Sequence, residues 1–302
     1  MKHSIIIDTD PGIDDAAAIS IALTHPRFDV KMISTVNGNV DIEKTTINAL
    51  KLKKFFNSKV PVHRGAAQPL MAENVDASEI HGESGMAGYD FEPVEMNELA
   101  SSRAVDAMRD MLLKSDESIT LVPIGPLTNI ALLLKTYPEV TPHIKEIVLM
   151  GGSAHRGNIT PLAEFNIYSD PEAAHIVFES GLPLTMVGLD VARNSTLIHE
   201  HVNELRELNN TGEMLYHMFQ HYRGDDFEQG INVYDAYTLL YLLYPEEFEV
   251  LKAKVQVEVN SELTRGATVT DFSSLHPNTS VVMSINAKRF KERLFESLSY
   301  AP

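Results

Sequence analysis

The chain contains no cysteine. That excludes a disulfide scaffold, thiolate-ligated zinc, an iron–sulfur cluster and thiol catalysis, and it agrees with a cytoplasmic location. Cations are also scarce: Lys and Arg number 25 against 42 Asp and Glu, a formal net charge of −17. So acidic a surface repels polyanions, and neither nucleic acid nor an anionic membrane is an expected partner. Long hydrophobic runs are missing. Ile5-Ile6-Ile7 is too short for the core of a secretory signal, and the apolar stretch at Leu239–Tyr244 is far short of the ~20 residues that span a bilayer. No Ser-, Gly- or Pro-rich linker and no internal repeat interrupts the sequence. Hydrophobic residues make up 44% and charged residues 22% of 302. This is the composition of one globular domain over residues 1–302, with a sizeable core.

What is present is an alternation of short β-rich runs with helical ones. Strands are expected at Ser4–Ile7, Val30–Thr35, Ile119–Pro123, Ile147–Met150 and Leu184–Leu189. Helices are expected at about Asp14–Thr24, Asp41–Phe56, Ser101–Lys114, Leu127–Lys135 and Pro171–Ser180. Strands that are apolar at nearly every position are buried on both faces. The pattern therefore predicts an α/β fold: an open, mostly parallel central sheet flanked by helices and joined by right-handed crossovers. After Leu189 helices follow at His199–Leu208, Gly212–Tyr222 and Ala236–Leu243. Two or three strands within Leu251–Ile285 and a closing helix from Ala287 end the chain. Two polar, glycine-bearing segments, Ala72–Pro93 and Gly224–Gly230, read as loops able to cover a site.

Open parallel sheets place their sites at the carboxyl ends of strands. The first strand runs into Asp8-Thr9-Asp10-Pro11-Gly12-Ile13-Asp14-Asp15. Four carboxylates in eight residues repel one another unless a cation or hydrogen-bond donors compensate. Hard oxygen donors suit Ca2+ or Mg2+ rather than zinc. One of these acids is also expected to cap the helix that starts near Asp14. The second strand is followed by Asn37 and Asn39, which offer neutral polar groups or plain turn chemistry. Ile124-Gly125-Pro126-Leu127-Thr128-Asn129 follows the Ile119–Pro123 strand. Its Gly-Pro bend exposes carbonyls that could ligate Ca2+, and Thr128 or Asn129 could cap the next helix. Gly151-Gly152-Ser153, Asn158, Glu164, Asn166 and Asp170 follow the next strand. There is no G-x-G-x-x-G and no Gly-Lys dipeptide, so no dinucleotide or P-loop signature. A set rich in Asn and Glu prefers a neutral polyhydroxyl ligand such as a sugar over a phosphate. Asp235 is a further acid available to a metal, or a helix N-cap.

These motifs together resemble the inosine–uridine-preferring nucleoside hydrolases. The resemblance spans nearly the whole chain: the Asp8–Asp15 segment, Asn37-Gly38-Asn39, His81-Gly82, Gly125–Ile130, Met150-Gly151-Gly152, Ala163-Glu164-Phe165-Asn166 and Asp170–Ala174 fall in family order. The loop His81–Asp90 resembles in particular the bacterial ribonucleoside hydrolases of broad purine and pyrimidine specificity. The resemblance implies the nucleoside hydrolase fold with its Rossmann-like core. It also implies a calcium-dependent N-ribohydrolase (Ca2+ as cofactor) and a cytoplasmic homodimer or homotetramer. By motif, it implies metal ligation by Asp10, Asp15, the Ile124 carbonyl and Asp235. Asp14, Asn39, Asn158, Glu164 and Asn166 would hold ribose hydroxyls, Met150 would lie against the sugar, and Asp10 would be the general base.

The chain departs from that pattern at Tyr234, where many members carry a His that is associated with protonating the departing purine. A phenol with a pKa of about 10 is a weaker acid at neutral pH. Either Tyr234 donates directly, or His81 takes over, or purine turnover is poor; His81 could equally be a surface-loop residue. The base is expected near Tyr222 and Phe227. Two other functions share part of this pattern. An aspartate-based phosphatase also opens with Asp-x-Asp, but the later segments lack its cationic phosphate clamp. A Ca2+-dependent nucleoside- or sugar-binding protein without turnover would need no water-activating base, which Asp10 supplies.

Overall fold

The computed structural model describes residues 2–223 and 230–302. Gly224–Gln229, and with them Phe227, lie outside the described residues. Nine strands form one sheet: β1 His3–Thr9, β2 Phe28–Thr35, β3 Val62–Arg64, β4 Ile119–Pro123, β5 Ile144–Met150, β6 Leu184–Val187, β7 Phe248–Val257, β8 Thr268–Asp271 and β9 Thr279–Ile285. Their spatial order is β3-β2-β1-β4-β5-β6-β9-β7-β8. The first seven in that order run parallel; β7 is antiparallel to both β9 and β8. This is the mostly parallel α/β sheet that the alternation predicts.

Eleven α-helices accompany the sheet among the described residues: α1 Ile13–Thr24, α2 Ile42–Phe55, α3 Ser78–His81, α4 Ala104–Lys114, α5 Thr128–Thr136, α6 Phe165–Ser169, α7 Pro171–Phe178, α8 His199–Arg206, α9 Asn210–Arg223, α10 Tyr234–Leu243 and α11 Ala287–Leu298. No helix is long and apolar enough to cross a membrane. The period-2 geometry of β1 splits its side chains between two cores. Ile5 and Ile7 join a cluster with α1, α9, α10 and α11, while Ile6 joins Leu121, Ile130 and Val177 on the other face. Helix α1 is the central element of the first core. Ala16, Ala17, Ala18 and Ile19 are all buried, because this helix is packed between the sheet and α10 rather than laid on a surface.

The chain builds β1, β2 and β3 outward on one side, then returns to add β4 on the other side of β1. That reversal opens a crevice between the carboxyl ends of β1 and β4. Asp8 pairs in register with Ser34 of β2 and Pro123 of β4, so the three strands end level. The acidic segment after β1 and the Gly-Pro bend after β4 therefore meet at one place.

Candidate active site

Of the thirteen side chains or carbonyls singled out from the sequence, eleven line a single cavity at this crevice: Asp14, Asn39, His81, Ile124, Met150, Asn158, Glu164, Asn166, Tyr222, Tyr234 and Asp235. The other two, Asp10 and Asp15, are buried beside it and bonded to Asn39. Asn37 is elsewhere, paired through its amide with Asn74.

The acids are held by the local fold. Helix α1 begins at Ile13 with Gly12 as its N-cap, so Asp14 does not cap it. Asp15 supplies the capping contact instead: Gly12 N–H donates to its Oδ2 at 2.9 Å, and Thr9 Oγ1 donates to its Oδ1. Asn39 braces two acids at once. Its backbone N–H donates to Asp10 Oδ2 at 2.7 Å, and its Nδ2 donates to Asp10 O at 3.1 Å and Asp15 Oδ2 at 3.2 Å. The other oxygen of Asp10, Oδ1, is buried with no hydrogen-bond partner among the described residues. Asp235 is the second residue of α10, behind the N-cap Val233, so it is not a cap. Thr128 and Asn129 do not cap α5 either; its N-cap is Leu127. Thr128 Oγ1 donates to Asp170 Oδ2 at 2.7 Å, and Asn129 Nδ2 donates to Asp8 Oδ1 at 2.8 Å. Both side chains reach out of the helix to distant carboxylates, and Asn129 Oδ1 accepts from Ala66 N–H rather than from the first turn of α5.

Asp14, Asp15 and Asp235 each place a carboxylate oxygen within 4.8 Å of the others, and the cluster could hold a metal ion. Fully ionised, each such pair would repel by at least about 3 kcal/mol at an effective dielectric of about 20. That exceeds the ~1 kcal/mol net worth of a typical hydrogen bond. Burial raises all three, and charge repulsion adds to it at Asp15 and Asp235. Burial and the neighbouring Asp15 hold Asp10 well above the usual carboxylate range, and burial with Asp14 does the same to Asp235. Burial pushes Asp14 and Asp15 up to about 6. A divalent cation removes this conflict, and hard carboxylate and carbonyl oxygens are the donors that Ca2+ takes. The orphaned Asp10 Oδ1 and the Ile124 carbonyl at the cavity wall fit the same demand.

The opposite wall is uncharged or singly acidic. Asn166 donates from Nδ2 to Ile124 O at 3.1 Å and to Met150 O at 3.2 Å. Glu164 N-caps α6, accepting from Asn166 N at 2.9 Å, Ile167 N at 3.2 Å and Gly152 N at 2.9 Å. Burial still pushes its carboxyl up to about 7. Asn158 Oδ1 accepts from Phe165 N at 2.9 Å. His81 is not a surface residue: it is 7% exposed, and its Nδ1 accepts from Ile13 N–H at 3.2 Å. That bond leaves the ring proton on Nε2, and burial lowers its pKa to about 4, so the ring is neutral. Its ring centroid is 5.7 Å from that of Tyr222.

Ala77, Ile80, Ile159, Phe165 and Asn232 also line the cavity and were not foreseen. Two of them carried a visible signal. Ile80, in the polar 72–93 segment, and Ile159, in the polar loop after β5, are apolar residues left 51% and 44% exposed, as a ligand-facing rim would be.

Glycine makes the close approach of Asp10 possible. A Cβ at Gly125 would stand 2.3 Å from Asp10 Oδ1 and 3.1 Å from its backbone N. Gly125→Ala must therefore displace the carboxylate. Turnover of any substrate that depends on Asp10 should fall by about 10²-fold, the effect of a misplacement of roughly 1 Å. Steady-state kinetics beside a circular dichroism spectrum checks this; an unchanged kcat would mean that the position of Asp10 is not critical.

Comparison with known proteins agrees with this geometry. A model of the inosine-uridine preferring nucleoside hydrolases matches residues 5–292. The non-specific ribonucleoside hydrolase RihC of Salmonella paratyphi C is 48% identical over 301 residues, covering 99% of this chain and 98% of that protein. RihC of Salmonella typhimurium matches to the same extent. Among solved structures, the purine-preferring ribonucleoside hydrolase from Gardnerella vaginalis superposes with a TM-score of 0.89 at 31% identity, covering 98% of each chain. An inosine-guanosine nucleoside hydrolase gives 0.92 at 28% identity, over 99% of this chain and 100% of that one.

Proposed function

Since the chain belongs to the inosine-uridine preferring nucleoside hydrolase family, we propose that its acidic crevice is a Ca2+-dependent site of broad base specificity. The chain is a ribonucleoside N-ribohydrolase. The finer reading is cleavage of the N-glycosidic bond of uridine, cytidine, inosine and adenosine to ribose and free base. The observation that carries it is the convergence of Asp14, Asp235 and Ile124 on one cavity with Asn39, Asn158, Glu164 and Asn166, while Asp10 and Asp15 are buried beside it and bonded to Asn39. The resemblance further supports a homodimer or homotetramer, and the lack of cysteine agrees with a cytoplasmic location.

In this reading Asp10, Asp15, Asp235 and the Ile124 carbonyl hold the cation, with Asp14 beside it facing the ribose. A bound Ca2+ supplies a fixed seat for vicinal hydroxyls and lowers the pKa of water, though less than zinc does. Asp10 is built to be the base. Its Oδ2 is pinned by Asn39 N–H, and its Oδ1, with no such bond among the described residues, has one lone pair for the cation and a second to take a proton from the attacking water. Asn166 spends its amide N–H groups on strand-end carbonyls, which leaves its amide oxygen for a ribose hydroxyl. A carboxylate has about four acceptor sites and Glu164 uses three, so one remains for a hydroxyl. Cleavage builds positive charge on the sugar, and these oxygens stabilise it. The neutral His81 ring offers an N–H, and the aromatic ring of Tyr222 lies beside it for a base to pack on.

Ribose release from inosine, uridine, 2′-deoxyuridine and uridine 5′-monophosphate tests the reading. The first two should react. The deoxynucleoside lacks a hydroxyl that the site holds, and the nucleotide brings an anion into an acidic cavity, so both should be poor substrates. Tight nucleoside binding with no ribose release would instead support a binder without turnover. Tyr234→Phe should lower inosine turnover about tenfold and uridine turnover less, since purine departure depends more on a donor to the ring. Equal activity of the variant and the wild type on both would remove Tyr234 from the mechanism and make His81→Ala the next variant.

A further inference from the structure

We propose that Asn232 is a positioning residue that aims the Tyr234 hydroxyl hydrogen at the departing base. The inference rests on the reading of Tyr234 as the group that faces the base. Asn232 stands two residues ahead of α10, and both side chains line the cavity. Asn232 Nδ2 donates to Tyr234 Oη at 3.1 Å, the one hydrogen bond of that hydroxyl among the described residues. A phenol oxygen has two acceptor positions and one hydrogen. Having accepted from the amide, the hydroxyl has its own hydrogen left for the cavity.

The amide can be placed two ways, and the site selects one. Two carboxylates, Asp14 and Glu164, act on the Tyr234 oxygen against one guanidinium, Arg156, so the electropositive NH2 end of the amide is drawn to that side. Its Oδ1, at the other end of the amide, is buried and has no hydrogen-bond partner among the described residues. Turned over, the amide would take the phenol hydrogen itself and leave none for the base. When the C1′–N bond breaks, its electron pair moves onto the base while water oxygen bonds to C1′ and Asp10 takes a water proton. The Tyr234 hydroxyl keeps its hydrogen and donates a hydrogen bond to the electron-rich base, which finally acquires through solvent the proton that water gave up.

The test uses inosine and p-nitrophenyl β-ribofuranoside, whose nitrophenolate leaves without help from a donor. Tyr234→Phe should lower kcat on inosine about tenfold, and Asn232→Ala about threefold to tenfold, the worth of one oriented hydrogen bond. The double variant should be no slower than Tyr234→Phe alone, with KM little changed throughout. Asn232→Asp should fall below Asn232→Ala, because a carboxylate captures the phenol hydrogen. All variants should hydrolyse the nitrophenyl riboside within about twofold of wild type, which also shows that they fold. Multiplying losses in the double variant, or equal losses on the nitrophenyl riboside, would overturn the role of Asn232. Wild-type inosine turnover by Tyr234→Phe would instead remove the premise about Tyr234, whatever Asn232→Ala does.

Discussion

Asp10→Asn should reduce hydrolysis of uridine and inosine by about 10³-fold, within the range that general-base catalysis contributes. The substitution is close to isosteric. An amide oxygen can still accept from Asn39 N–H, where Asp10 Oδ2 now accepts at 2.7 Å. What is lost is the bare Oδ1 and its capacity to take a proton. The same change removes one charge from a buried, mutually repelling set, in which burial and Asp15 already raise Asp10 far above its ordinary range. Without metal, the variant should therefore melt no lower than the wild type. Activity within tenfold of wild type would place the base elsewhere, and a large fall in melting temperature would make Asp10 a structural acid first.

Metal removal is the second large effect expected. Chelation followed by dialysis should abolish ribose release, and Ca2+ should restore it. The stability readout is independent of turnover. At a concentration about 100 times its dissociation constant, a ligand that binds only the folded state stabilises it by about 2.7 kcal/mol. For a chain of this size that is a rise of about 4–8 °C in melting temperature. Asp235→Ala should shrink the rise, because it removes one of three carboxylates whose oxygens lie within 4.8 Å. An identical melting curve with and without Ca2+ would sink the metal reading even if activity survived. Mg2+ should substitute poorly, since it demands a near-octahedral shell that the proposed ligands, held between β1 and α1, on α1, just past β4 and on α10, are not free to form.

How much of this was legible in the sequence depends on whether the cause was local. Strand β4 is legible to the residue, because Ile119–Pro123 is apolar but for the β-branched Thr120, ends in proline, and is flanked by turn residues. The second and third strands of the antiparallel end were seen only as a region, since β8 is four residues long and half exposed. Strand β3, α3 and α6 were missed. Each is short, and the short helices are held by distant groups: α3 through His81 to Ile13, and α6 through the Glu164 contact with Gly152. The residues of the site were legible because they follow strands and because they resemble a family pattern. Their hydrogen-bond duties were not. Thr128 and Asn129 look like caps, yet their partners lie 42 and 121 residues away, beyond any local rule. Asn232 gave no signal at all, since its meaning comes from Tyr234 and from the carboxylates across the cavity.

The distribution of the acids along the chain also bears on how the protein acquires its shape. Asp10, Asp14 and Asp15 come early, Ile124 from the middle and Asp235 near the end, so the cluster exists only once β1, β4 and α10 have docked. Contacts of such long sequence separation form late and make folding slow. A cation has little to hold in the barrier state that precedes docking, and everything to hold afterwards. Calcium should then leave the refolding rate nearly untouched while slowing unfolding, so that the loaded site serves as a latch on the finished fold rather than a template for it.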